Sequence, residues 1–307
     1  TAYYANTYQK LQELKKENVL HIETIGKSSN IKLNFQNYLL IDVLAEMEIE
    51  KKLTFLKKRT DLLPLIADID ALTDTYAIKS INAIDPAKNI KLNKLDLLFL
   101  LKEAPKNHTY ARELYKHLIA LQNKHNLKIN SLILGESDFQ NQIASDEINP
   151  AREALSQKII LSNPQAFWNT IKAVAEKTEL KAIKAQTKPA AITEADLAYN
   201  LNRFGYKEFG LTITQGKKFS IEYIITSLLL QEDARQIEAV PTILGKNQYS
   251  ANTLAFLSQK FSTAEKLLGL LISLQEIKPT PQTQDTIDLL KAFNAEPLPA
   301  DTKSIQQ

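Results

Sequence analysis

The apolar positions of this chain change their period as it runs, and each change marks an element. Tyr3, Tyr4, Tyr8, Leu11 and Leu14 recur at helical spacing, which predicts a helix over about 6–17. Alternation follows over 19–25 and 31–35, about a turn at 26–30 that holds Gly26 and Lys27; this reads as a β-hairpin. Over 38–59, Leu39, Leu40, Val43, Leu44, Met47, Leu53 and Leu56 form a stripe, with Glu46, Glu48 and Glu50 opposed to Lys51, Lys52, Lys57 and Lys58, as expected of a connector helix. Thr60-Asp61 then reads as a cap, and Pro64 falls near the first turn of a second helix.

From 74 onward, strands and helices are expected in turn: a strand at 76–83, a polar loop at 84–93, and a strand at 95–102. This last run is apolar except for Asp96, too short and too uniform for an amphipathic helix, and it suits a strand buried on both faces. A helix at 109–125, a strand at 127–134, a helix at 137–144 and another opened by Asn149-Pro150 lead to a strand at 158–161 and a helix at 164–176. The sum is a small mixed sheet with helices on at least one face. A Lys-, Pro- and Ala-containing linker follows. Thr193-Glu194-Ala195-Asp196 then caps the first of several short helices, with 206–217 irregular and helices at 219–230, 234–244, 252–260, 263–275 and 283–293, a bundle joined by short loops. The predicted fold class is α+β, divided into an N-terminal fragment (1–36), connector helices (37–73), the sheet domain (74–178), a linker (179–193), a helical bundle (194–293) and a flexible tail (294–307).

Composition narrows the chemistry. With 307 residues and 44% hydrophobic content, the chain is long enough for two or three cores. A formal net charge of +3 means that any basic surface must be local. The absence of cysteine excludes disulfides, thiolate zinc sites and a thiol nucleophile, and fits a reducing compartment. No apolar run approaches the roughly 18–20 residues that span a bilayer, and no leader pattern opens the chain. A cytoplasmic location without membrane contact is therefore expected, and the Asn107-His108-Thr109 sequon is expected to be chance. The first helix starts without an initiating Met, as though already under way, so further elements are expected upstream.

Several tempting residues have simpler readings. Asp68-Ile69-Asp70 lies in a predicted helix, where positions two apart diverge by about 200° and cannot share an ion. His21 reads as a strand-surface residue. His117 and His125 are eight apart but lack a third ligand, and no serine-histidine-carboxylate arrangement competes.

Helix, hairpin and basic tip in this order resemble the second half of a winged helix-turn-helix domain. The resemblance implies a helix entering a DNA major groove and a wing at 26–30 touching the backbone. Tyr3, Tyr4, Asn6, Thr7 and Gln9 are the candidate base-edge or phosphate donors, and Lys10, Lys27 and Lys32 the candidate phosphate contacts.

A second resemblance covers about 74–178. The order strand, loop, Leu95-Asp96-Leu97-Leu98-Phe99, helix, Leu127-Lys128-Ile129-Asn130-Ser131-Leu132-Ile133, short helix, Arg152-Glu153-Ala154 and Ile159-Ile160-Leu161 looks like the minimal nucleotidyltransferases of the polymerase-beta superfamily. That family holds a triphosphate with a Gly-Ser pair and two Mg ions with three carboxylates. Here Asn82-Ala83 stands where Gly-Ser is expected, Lys94 where the first aspartate is expected, and Asn130 at the third position, so Asp96 alone remains. Lys94 and Asp96 are expected to neutralise one another at a strand end. Lys79, Lys88, Lys91 and Lys94 are the candidates for metal-free nucleotide binding.

The functional expectation is a non-catalytic, nucleic-acid-binding or regulatory scaffold with a degenerate nucleotidyltransferase domain. It takes no cofactor, binds DNA in preference to RNA, and meets a protein partner through its C-terminal helices. One alternative is an active Mg-dependent nucleotidyltransferase using Asp96 with Asp85; another is an RNA- or ribonucleoprotein-bound structural protein.

Overall fold

The computed structural model describes residues 2–26, 28–86, 93–102, 108–178, 180, 188–206, 213–231 and 237–298, with no side-chain description at 2–5, 25 and 108–110. Helix α1 (Ala2–Lys16) leads into the hairpin of β1 (Leu20–Ile25) and β2 (Ser28–Leu33), then α2 (Leu40–Lys58). A 3-10 turn (Thr60–Leu62), in which Arg59 and Asp61 form an ion pair, precedes α3 (Leu63–Asp70) and α4 (Leu72–Thr75). Pro64 lies in the first turn of α3, where its missing N–H costs nothing.

The hairpin corrects the expected wing. Ile25 pairs with Ser28, so the tip is two residues long and the stretch 28–30 belongs to a strand. Gly26 at φ 62° supplies the left-handed backbone such a tight tip requires. The polar run was misleading because β2 is exposed along most of its length, so it carries no burial pattern for a sequence to display.

The sheet is built from β3 (Ile78–Ile84), β4 (Lys94–Leu101), β5 (Lys128–Gly135) and β6 (Lys158–Ser162), in the spatial order β5-β4-β3-β6. The pairs β3–β4 and β3–β6 are antiparallel and β4–β5 is parallel. Every residue of β4 after Lys94 is buried; because successive side chains point to opposite faces, both faces of this strand are covered. Ile84, expected in the loop, extends β3 and stands opposite Asp96.

Helices α5 (His108–His125), α6 (Glu136–Ala144), α7 (Pro150–Ser156) and α8 (Pro164–Ala175) pack around the sheet. Asn149 caps α7 by accepting the Arg152 N–H at 3.0 Å, with Pro150 at the first position, as the dipeptide implied. The C-terminal region is helical: α9 (Glu194–Arg203), α10 (Ile221–Gln231), α11 (Ala239–Lys246), α12 (Ala251–Lys260), α13 (Ala264–Ile277) and α14 (Pro281–Ala292). Thr193, Ser250 and Thr280 cap α9, α12 and α14 through side-chain oxygens. Helix α14 starts two residues before the expected Thr283, because Pro281 suits a first helical position.

The architecture is thus mixed α+β, a small sheet followed by a helical region. The two parts share one hydrophobic core running from Leu56 of α2 to Leu290 of α14, while Val19, Leu20, Leu40 and Leu44 make a second, smaller core beneath the hairpin. Helix α12 lies directly on β5, and this contact positions the site described next.

Candidate functional site

Asp96 and Asn130 are register partners on the parallel pair β4–β5, so their side chains leave the same face of the sheet. The Asn130 Nδ2 donates to Asp96 Oδ1 at 2.7 Å, and both residues are fully buried. A carboxylate at 0% exposure needs a compensating charge. Lys260, the last residue of α12, supplies it: its Nζ lies 3.3 Å from Asp96 Oδ2 and 3.4 Å from Glu153 Oε1 of α7. Glu153 also accepts the Tyr223 hydroxyl of α10 at 2.9 Å, and Phe256, one turn before Lys260, places its ring 5.4 Å from the ammonium. Residues of β4, α7 and α12 thus meet at one buried cation, with Asn130 of β5 and Tyr223 of α10 bonding its two carboxylates.

The electrostatics follow from this geometry. Burial would lower the Lys260 pKa, but the carboxylates of Glu153 and Asp96 outweigh it and raise the ammonium above its ordinary range. Burial, reinforced by Glu153, pushes the Tyr223 hydroxyl well up. Two carboxylate contacts and a raised pKa make Lys260 an ion-pair partner in this arrangement. The arrangement neutralises charge and ties α12 and α7 to the sheet.

The magnesium pair of the nucleotidyltransferase resemblance does not fit these residues. A protein cation already contacts Asp96, and Asn130 turns its amide nitrogen, a donor, toward the carboxylate. Among the described residues no group of three or more His, Cys, Asp or Glu could hold a metal ion. Asp85 leaves β3 in a left-handed conformation (φ 43°), and its backbone N–H donates to the Gln157 carbonyl at 2.7 Å. Asn82 and Ala83 are buried within β3 rather than facing an open loop.

Of the four candidate lysines, the two described ones, Lys79 and Lys94, lie apart. Lys79 lies at the opposite end of β3 from the Asp96 site, about 16 Å along the strand from Ile84 at ~3.3 Å per residue. It pairs with Glu136 at 2.5 Å, an oxygen that also accepts the Thr170 hydroxyl at 3.0 Å. Lys94 stands beside Lys128 in register, and Lys260 of α12 reaches the buried Asp96 carboxylate. Lys88 and Lys91 lie outside the described residues.

The N-terminal candidates keep an open surface. Asn6, Thr7, Gln9 and Lys10 are exposed on α1, with Gln9 and Lys10 both reaching Glu13, at 3.5 and 3.2 Å. Tyr3 and Tyr4 belong to α1 but their side chains are outside the description, as is Lys27. Lys32 is exposed on β2, at the rim of a cavity of about 580 Å³ walled by Phe35, Leu155, Trp168 and Ile171.

Three further sets of titratable residues form structural pairs. Asp68 accepts from Lys124 at 2.7 Å and His125 at 2.6 Å, so this carboxylate anchors α5 to α3. His117 bonds the Tyr76 hydroxyl, which places the two histidines in separate contacts. Glu48, expected among solvent-facing charges, is 2% exposed and lies 3.6 Å from Lys158, whose ammonium sits 4.6 Å from the Trp168 ring centre. Lys260 and Tyr223 escaped sequence reasoning altogether. A lysine ending a helix reads as an ordinary complement to the helix dipole, and nothing local marks it as a partner for a strand more than a hundred residues earlier.

No protein-family model matches this chain, no curated protein matches it, and no solved structure matches its fold.

Proposed function

We propose that this chain is a non-catalytic, nucleic-acid-binding regulatory scaffold, in which a nucleotidyltransferase-like sheet has exchanged its metal ions for an internal lysine. The observation that carries the reading is the Lys260 ammonium between Asp96 and Glu153, at 3.3 and 3.4 Å. An ammonium there satisfies the charge that a divalent cation would otherwise compensate, and like-charge repulsion opposes adding a second cation beside it. The nucleic-acid half is supported by the exposed short polar side chains and Lys10 of α1, followed by a hairpin whose exposed Lys32 can meet phosphate. The helical region serves as the surface for a protein partner.

Two measurements test the two halves separately. Calorimetric titration of the four nucleoside triphosphates, with and without Mg, is expected to show no metal-dependent binding. Metal-dependent binding abolished by Asp96→Asn, with the fold retained, overturns the non-catalytic half. Fluorescence anisotropy with duplex DNA is expected to show binding that weakens steeply with salt and falls in Lys10→Glu and Lys32→Glu. Absence of binding at low salt overturns the nucleic-acid half, and equal affinity for RNA of any sequence redirects it to a ribonucleoprotein role.

A further inference from the structure

The two hydrophobic cores of this chain meet without merging. Phe35, just after the hairpin, and Trp168 of α8 pack against both cores, and both wall a cavity of about 580 Å³. Residues of β2, α6, α7 and α8 complete the wall. This volume falls within the range of small-molecule sites, about 300–1,000 Å³, which favour such junctions between packing units.

The wall is apolar over most of its surface and carries charge of one sign. Phe35, Leu155, Trp168 and Ile171 supply the apolar part, Lys32 and Arg152 are basic, and no acidic side chain lines the cavity among the described residues. Such a lining is complementary to an anion with an apolar body. Arg152 is half-buried and fixed in place: its Nη1 donates to the Ser145 carbonyl at 2.5 Å and its backbone N–H to the Asn149 side chain at 3.0 Å. A neutral carbonyl satisfies a donor but leaves the positive charge, and the guanidinium fork matches a carboxylate. Trp168 adds a buried Nε1 that has no hydrogen-bond acceptor among the described residues, and a buried donor of this kind calls for one.

We propose that this cavity binds a small amphipathic anion, a monocarboxylate with an apolar body of the size of a medium-chain fatty acid. The hydrocarbon chain lies against the apolar wall, and the carboxylate is balanced by Arg152 and Lys32. Burial of the chain supplies most of the affinity. The two cations supply the selectivity, since an amine of equal length would set like charges together. The site depends on neither the nucleic-acid reading nor the Asp96 ion pair.

Trp168 is the only tryptophan of the chain, so its emission reports on the cavity by itself. Titration of the full chain with decanoate brominated at the far end of its chain, below the micelle concentration, is expected to quench Trp168 to a plateau through contact with the heavy atom. Plain decanoate is expected to reverse the quenching, and decylammonium, equal in length and opposite in charge, to compete at least about tenfold more weakly. Lys32→Glu, at an exposed position, is expected to raise the apparent dissociation constant about tenfold. Ala175→Phe, which fills the cavity from the α8 side without adding a tryptophan, is expected to abolish the quenching, with circular dichroism checking that the fold is kept. Absence of saturable quenching in the wild-type chain, equal competition by decylammonium, or unchanged quenching in a folded Ala175→Phe variant overturns the proposal.

Discussion

Replacing Lys260 by Met removes the ammonium held between Asp96 and Glu153 while keeping most of the aliphatic stem. At about 3.3 Å and an effective dielectric constant of ~20, each ion pair is worth roughly 5 kcal/mol of gross attraction. Burying three charged groups offsets much of that sum. The relevant quantity is the cost of leaving buried carboxylates without their cation, about 3–5 kcal/mol, because Asp96 is 0% exposed and Lys260 side-chain exposure is only 9%. Met fills a similar volume, so repacking adds less than about 1.5 kcal/mol. Urea unfolding at neutral pH, read as the shift in midpoint at constant slope, measures the loss. Asp96→Asn is expected to cost less, because it leaves Lys260 paired with Glu153, and the double variant is expected to be strongly non-additive. A loss under about 1 kcal/mol would refute the reasoning, for Lys260 would then behave as a solvated lysine.

Other predictions rest on single contacts. Burial raises the Glu222 carboxyl above its ordinary range, although it accepts the Ser250 N–H at 2.6 Å. With the folded pKa above the unfolded one, its contribution is present below the unfolded pKa and lost as pH rises through the folded value; Glu222→Gln is therefore expected to raise the thermal midpoint at neutral pH and flatten that decline. Lys124 and His125 hold Asp68 below the usual carboxylate range, so its contribution is present above the unfolded pKa and lost as pH falls through the folded value. Asp68→Asn is accordingly expected to lower the midpoint at neutral pH but not at strongly acid pH, and an equal loss at both would contradict this. A Cβ on Gly269 of α13 would meet the Leu298 carbonyl oxygen at 2.0 Å, while the Leu298 N–H is held by the Glu265 carbonyl at 3.2 Å. Gly269→Ala is expected to release the chain around 298 and speed its proteolysis, with the global midpoint little changed because helix propensity gains about 1 kcal/mol. A midpoint fall with no change in cleavage would show that the tail does not yield.

Local chemistry determined much of this protein in advance. Burial of β4 on both faces is written in 95–101, the caps of α7 and α9 in Asn149-Pro150 and Thr193, and the helical character of the C-terminal region in the spacing of its leucines. These features rest on period and backbone preference, which act between neighbouring residues and so leave a local record. The stripe on α2 was legible too, but it merged two faces that only packing separates: Leu40, Leu44 and Leu56 turn inward and Leu39, Met47 and Leu53 outward. Register and topology decided the rest. Sheet order sends Lys79 to Glu136 and leaves Lys94 beside Lys128, while the docking of α12 on β5 delivers Lys260 to Asp96. A charge pair between distant elements imposes no period on either, so a sequence carries both partners without recording that they meet. That meeting, which makes Asp96 part of a buried ion pair, exists only in the tertiary structure.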